Sequence, residues 1–260
     1  MQDVLSFAAQ KVREGQKVAL VTVTGVEKSS PASPGQMMAV LSDGSIAGTV
    51  GGGASEYLII RKAVEAIENG DVIFKFSLDH AECGMTCGGN MEGFGSILGN
   101  RDRLYIFGGG HIAQCLARIA VQTGFFVVVV EDRPEFSADF ESVRYLLCKP
   151  EEYGANVPVS ASDFAVICTR GHATDGEALR YCLTRRPKYL GMIGSERKVS
   201  LLLAKLRDEG KTQEEIDSIY SPIGLDIADA VPAEIAVSIL AEILLVKNNG
   251  TPRHRKRSGG

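Results

Sequence analysis

Tyr105-Ile106-Phe107-Gly108-Gly109-Gly110-His111-Ile112-Ala113 decides how this chain of 260 residues folds. A short apolar strand, Leu104 to Phe107, runs into the pattern G-x-G-x-x-A and then into a helical stretch, Ile112 to Gln122. Each position has a physical role. The first glycine makes the tight turn, the second lets backbone approach a phosphate, and Ala113 lets helix pack close on strand. The start of the helix adds free N–H groups and partial positive charge suited to an anion. About twenty residues on, where such folds place an acid, Glu131 and Asp132 close the valine-rich strand Phe125 to Val130. A carboxylate there can take ribose hydroxyls, and Arg133 beside it can take a 2′-phosphate. Gly108, Gly110, His111, Glu131 and Asp132 are therefore read as nucleotide or phosphate ligands. The competing reading, glycines that merely permit a turn, is weaker because strand, helix and acid are all in place.

Outward from this motif, strand and helix alternate. Strands are expected at Phe164 to Thr169 and Tyr189 to Ile193, with helices at Asp175 to Arg185 and Glu196 to Glu209. A last helix begins at Pro232, a residue suited to a first helical turn. Repeated strand–helix units predict a doubly wound parallel sheet. Arg170, His172 and Asp175 follow one strand, and Ser195, Glu196 and Arg197 follow another. The ends of such strands share one edge, so His111, His172 and Ser195 can face one crevice. Two histidines without a third ligand make a poor metal site.

Upstream, the first hundred residues read as a small α+β unit. Val4, Leu5, Ala8 and Val12 fall at helical spacing, and Lys17 to Thr24 is a β-branched strand. Two further strands, Gln36 to Leu41 and Ser45 to Val50, flank the turn signal Asp43-Gly44. Ala54 to Glu68 is helical and Asp71 to Leu78 a strand, while Cys83 to Gly99 is glycine-rich and takes no assignment. The expected organisation is an α/β protein with an N-terminal α+β domain (1–100), a Rossmann-like domain (101–250) and a basic, disordered tail (251–260).

Two glycine-rich stretches in the first domain carry polar chemistry. Gly51, Gly52 and Gly53 precede a helix with Glu56 in its first turns, and can aim N–H donors at an anion; from the residues alone a plain strand–helix turn, with Glu56 suiting the helix dipole, is the better reading. Cys83-Gly84-Met85-Thr86-Cys87-Gly88-Gly89 spaces its cysteines too widely for a thioredoxin-type pair. With only His80 nearby it is also short of zinc ligands. An accessible thiol for sulfur or metal remains, against two ordinary loop thiols, a reading that competes seriously for Cys83 and less for Cys87.

Bulk properties exclude several classes. Hydrophobic residues are 45% and charged residues 23% of the chain, an ordinary globular mixture. The net charge of −4 hides a cluster of Arg253, Arg255, Lys256 and Arg257, so the body is more acidic still and unsuited to nucleic acid. No apolar run approaches the roughly 18 residues of a membrane span. Asp3, Lys11, Arg13 and Glu14 interrupt the N-terminal stretch where a secretory leader would be apolar. A cytoplasmic protein is expected, and cysteines within apolar runs (Cys115, Cys148, Cys168, Cys182) agree with that.

Taken together the motifs resemble the XdhC/CoxI family. Ser30-Pro31-Ala32-Ser33-Pro34-Gly35-Gln36-Met37, Gly51-Gly52-Gly53 and Gly84-Met85-Thr86-Cys87-Gly88-Gly89 are similar to its first domain. The glycine turn, Glu131-Asp132-Arg133-Pro134, Gly191-Met192-Ile193-Gly194-Ser195 and Pro222-Ile223-Gly224-Leu225-Asp226-Ile227 are similar to its Rossmann domain. The resemblance implies a maturation factor for xanthine dehydrogenase-type molybdenum hydroxylases, one that binds the molybdenum cofactor as mono- or dinucleotide, supports its sulfuration and inserts it. It further implies partners: the apo-hydroxylase, a cysteine desulfurase, a cofactor nucleotidyltransferase and a second copy of the chain. By position it makes Cys87 the residue touching cofactor metal or sulfur. Gly51 to Gly53 with Glu56, and Gly108, Gly110 and His111, become candidates for the pterin phosphate or a nucleotide. Two other functions compete: an NAD(P)-dependent oxidoreductase, with His172 or His111 as proton donor, and an interaction module whose crevice is vestigial.

Overall fold

The computed structural model describes residues 2–26, 32–78, 90–99, 101–140 and 143–253. It forms two compact units, Met1–Asn100 and Arg101–Gly260.

In the first unit, helix α1 (Gln2–Arg13) leads to β1 (Val18–Val26), the hairpin β2 (Met37–Leu41) and β3 (Ile46–Gly48), helix α2 (Gly53–Asn69), β4 (Ile73–Leu78) and β5 (Met91–Leu98). These strands form one antiparallel sheet in the order β3-β2-β1-β5-β4. Alternation along β1 explains both layers. Ala19, Val21 and Val23 pack under α2 with Ile59, Ala63 and Ile67, while Val18 faces Val4 and Ala8 of α1. Strand β5 occupies part of the glycine-rich stretch that took no assignment from sequence. Its glycines serve packing: a Cβ on Gly93 or Gly95 would collide with the rings of Phe76 or Phe74 on β4.

The second unit alternates β6 (Arg103–Phe107), α3 (His111–Gln122), β7 (Phe126–Glu131), β8 (Arg144–Leu147), α4 (Tyr153–Asn156), β9 (Phe164–Ile167), α5 (His172–Arg185), β10 (Tyr189–Met192), α6 (Glu196–Asp208), α7 (Gln213–Asp217), β11 (Ile219–Tyr220) and α8 (Pro232–Asn248). All six strands pair in parallel, in the order β8-β7-β6-β9-β10-β11. Numbered within the unit this is 3-2-1-4-5-6, the doubly wound order. Its strands are apolar on both faces, as a sheet covered on both sides requires. Leu104, Ile106, Val127, Val129, Phe164 and Val166 pack beneath α3 and α8. Tyr105, Phe107, Val128, Val130, Ala165 and Ile167 pack against α5 and α6. Strands β8 and β11 and the short helices α4 and α7 are not anticipated by the sequence pattern. Helix α5 also begins one turn earlier than expected, at His172.

Candidate functional site

The direction of winding reverses between β6 and β9, so connections leave in opposite directions and a crevice opens at the carboxyl ends of these strands. The glycine turn sits there. Gly108 donates to Val130 O at 2.8 Å and has a φ of +114°, the left-handed side. A Cβ on it would come within 2.4 Å of Cys168 O on the neighbouring connection. This position thus demands glycine for two independent reasons. Gly110 differs: it caps α3 with a φ of −69°, and a Cβ there would meet nothing within 4 Å. Space lies open in front of it. The N–H groups of His111, Ile112 and Ala113 are the unpaired donors of a first helical turn, and His111 itself is exposed.

Glu131 does not wait for a ribose. Its side chain is buried and turned inward, where Oε2 accepts from Gly109 N at 2.6 Å and from Arg133 Nη2 at 2.9 Å. Oε1 accepts from Asp132 N at 3.0 Å and Arg133 Nε at 2.9 Å. Four donors fill the roughly four lone-pair sites of a carboxylate. Burial opposes its ionisation, but the hydrogen bonds from Arg133, Asp132 and Gly109 outweigh that and bring the pKa down to about 2. The expected ribose ligand is instead the brace of the glycine turn. Arg133 is committed with it, its guanidinium lying 4.2 Å over the Phe136 ring, so it is not presented to a 2′-phosphate.

Asp132 pairs with Arg170 Nη2 at 3.0 Å, and its carboxyl also meets that of Glu131, which raises its pKa above the ordinary carboxylate value. Behind this pair lies a buried cluster. Asp175, on the first turn of α5 and fully buried, accepts from Thr169 Oγ1 at 2.6 Å and Thr169 N at 3.2 Å. Its second oxygen faces Lys198 Nζ from α6. Cys168 precedes Thr169 on the same connection: burial, then the charges of Asp175 and Glu131, push its thiol up to about 12, so it is a neutral thiol at neutral pH. Ser195 caps α6, its hydroxyl accepting from Lys198 N at 3.4 Å, which is a structural duty. Gly108, Gly110, His111, Asp132 and Ser195 thus share one edge of the sheet, together with the backbone of His172. Among the described residues no group of three metal-ligating side chains occurs.

In the first unit, Gly51, Gly52 and Gly53 have φ values of +119°, +76° and +69°. Gly51 N turns back to Thr49 Oγ1 at 3.2 Å, and the N–H groups of Val50 and Gly52 meet an anion that is internal. Glu56 Oε2 accepts from Thr49 Oγ1 at 2.5 Å, Val50 N at 2.9 Å and Gly52 N at 3.2 Å. The carboxylate thus takes the place that a ligand phosphate was expected to fill. Glu56→Ala is expected to destabilise this unit by about 1–3 kcal/mol, because two backbone donors lose their acceptor, with Glu56→Gln milder. Urea unfolding followed by a probe in this unit measures it. Cys83 and Cys87 lie outside the described residues.

Two family models account for most of the chain. Residues 104–243 match the XdhC Rossmann domain, and residues 12–77 match the XdhC and CoxI family. The chain belongs to the XdhC family. Among curated relatives of this XdhC chain, the uncharacterized protein YqeB of Escherichia coli K12 is 33% identical over 95% of the chain and 47% of its own length. The molybdenum cofactor insertion chaperone PaoD of the same organism is 22% identical over 94% of the chain and 88% of PaoD. The chain spans less than half the length of the two curated relatives matched at 33% identity. A crystal structure described as a xanthine dehydrogenase from Bacillus halodurans shares the fold, with a TM-score of 0.51 at 20% identity over 98% of this chain and 97% of that one. No helix of the described residues is long and apolar enough to cross a membrane.

Lys198 is a site residue that the reading of the XdhC sequence misses, though a signal exists. It stands four residues before Leu202, on the flank of the buried stripe that Val199, Leu202 and Leu206 form on α6, so its stem borders the core. Thr169 reads only as a strand end, and nothing local marks its hydroxyl as a partner of Asp175.

Proposed function

We propose that this XdhC-family protein carries the molybdenum cofactor, keeps it while its terminal sulfur is installed, and delivers it to a xanthine dehydrogenase-type molybdenum hydroxylase. The observation that carries the reading is the relation to an insertion chaperone across nearly the whole of both chains, which favours one shared role over a borrowed domain. The crevice supports it. An open cradle at Gly110 and the unpaired N–H groups of the α3 first turn suit a phosphate ester, and the pterin end of the cofactor bears one, alone or within a dinucleotide. In this reading Gly110, His111 and Ile112 hold the phosphate, and Cys87 offers a soft thiolate to the molybdenum or its sulfur. The desulfurase, the nucleotidyltransferase, a second copy of the chain and a cytoplasmic setting belong to the same proposal.

An NAD(P)-dependent oxidoreductase is the second reading, and one observation weighs against it. The acid that would hold the adenosine ribose, Glu131, is saturated by internal donors.

The test is reconstitution of a purified apo-hydroxylase with cofactor, a sulfur donor and each variant. Cys87→Ala is expected to bind little cofactor, or to bind it without activating the enzyme, and Cys83→Ala to be milder. Full activation by a folded Cys87→Ala protein would remove that cysteine from the site. Steady turnover of NAD(P)H, with no pterin released from protein made in a cofactor-producing host, would replace the carrier reading by the oxidoreductase one.

A further inference from the structure

Among the described residues, three close ion pairs and a longer Arg133–Asp132 contact stand at the carboxyl edge of the parallel sheet, and the close ones differ in what it takes to open them. Arg133 meets Glu131, whose side chain is 4% exposed. Lys198 meets Asp175, which is fully buried. Opening either would strand a carboxylate away from water. Arg170 is 56% exposed and Asp132 22%, so both can be rehydrated on separation, and such exposed pairs hold weakly. The position of the third pair is as telling as its exposure. Asp132 follows β7 and Arg170 follows β9, and β6 lies between them. The bridge therefore crosses the carboxyl end of β6, where the chain turns through Gly108, Gly109 and Gly110 into α3.

We propose that Arg170 is the cationic clamp of this crevice: it leaves Asp132 to take the phosphate of a ligand seated at the α3 N-terminus, and Asp132 is the internal competitor that the phosphate displaces. The ligand class is a phosphate ester, of a nucleotide or of a pterin. The inference rests on reading the crevice as a phosphate site and adds the residue that selects for charge. A planar guanidinium suits the exchange, because the fork that grips a carboxylate in two bonds grips a phosphate equally well. The exchange leaves Asp132 facing water or a ligand hydroxyl, 3.8 Å from an Arg133 Nε that it shares with Glu131. The neighbouring Glu131 carboxyl is what makes Arg170 worth holding until a phosphate arrives.

The bridge also suggests a simpler role, a lid that merely blocks entry. The two roles predict opposite patterns. Breaking a lid from either side helps entry, so Arg170→Ala and Asp132→Asn would shift binding in the same direction. A clamp with a competitor separates them. Arg170→Ala removes the clamp and is expected to weaken ADP binding by about tenfold, whereas Asp132→Asn frees the clamp and tightens binding. The double variant should follow Arg170→Ala.

Calorimetric titration of the full chain with ADP, AMP, inorganic pyrophosphate and adenosine measures this, with Gly110→Val as control. Arg170→Ala should leave the response to adenosine unchanged, since adenosine carries no phosphate. Pyrophosphate binding as strong as ADP would assign the site to free phosphate, and weaker binding to an ester. Wild-type protein that binds none of the phosphate probes, or binds them equally after Gly110→Val, overturns the phosphate reading and the clamp with it. If Gly110→Val abolishes binding while the Arg170 and Asp132 variants shift it in one direction or not at all, the clamp alone is overturned.

Discussion

Gly110→Val is expected to leave the Rossmann unit folded while ADP affinity falls about a hundredfold, the equivalent of two lost phosphate hydrogen bonds at about 1.5 kcal/mol each. The fold survives for a reason visible at the turn. Gly110 has an ordinary extended backbone, with a φ of −69°, and a side chain there projects into open space. That same space is where a phosphate must come to meet the N–H groups of His111 and Ile112. The contrast is Gly108→Val, two residues away. With a φ of +114° and Cys168 O 2.4 Å from any Cβ, this change pushes β6 and β9 apart, and it should fail as a fold before it fails as a site. Circular dichroism and thermal melting separate the two outcomes, and titration then reads affinity in the variant that folds. A folded Gly110→Val protein with unchanged affinity would reduce the motif to a turn.

The difference between these glycines marks how far the sequence can be read. The succession of strand, glycine turn and helix, and the apolar runs of β7 and β9, follow from periodicity and turn chemistry. They bring the right residues to one sheet edge without any long-range information. Which way a polar side chain turns at that edge is another matter. Glu131 and Asp132 are adjacent acids after one strand, and their carboxyl groups meet beside Arg133 yet take different main partners. One is drawn inward by Gly109 N and Arg133; the other meets a cation from a connection 38 residues away. Glu56 shows the same limit. A glycine run before a helix announces inward-pointing N–H groups, but whether the anion they hold is a ligand or a glutamate one turn later depends on the course of the backbone. Of the strands absent from the sequence reading, β8 and β11 have 4 and 2 residues, too few for a period to declare itself, while in β5 the glycines Gly93 and Gly95 hide the alternation. Their pairing comes from the sheet beside them.

Asp175→Ala is expected to lower the unfolding free energy of the Rossmann unit by about 3–5 kcal/mol, the range for removing one partner of a buried pair. Three losses combine. Lys198, 19% exposed, is left as a partly buried ammonium without its counter-charge. Thr169 N loses its acceptor, and Thr169 Oγ1 its shortest hydrogen bond, keeping Gly171 O and Thr174 Oγ1 as partners. A small void also opens under the first turn of α5. Asp175→Asn keeps an oxygen for Thr169 and should fall between wild type and Asp175→Ala. Asp175→Leu with Lys198→Met removes both charges and fills the space, and it should recover much of the stability, since apolar residues of similar volume often replace a buried pair without loss. Thr169 holds the connection that carries Arg170 and sets Cys168 O against Gly108, so the cluster governs the crevice as well as the core. The recovered double variant should therefore unfold close to wild type yet bind ADP less tightly, because Thr169 N still lacks its acceptor. If Asp175→Ala proves as stable as wild type in denaturant titration, the pair contributes nothing, and the position of Arg170 must be set by other contacts.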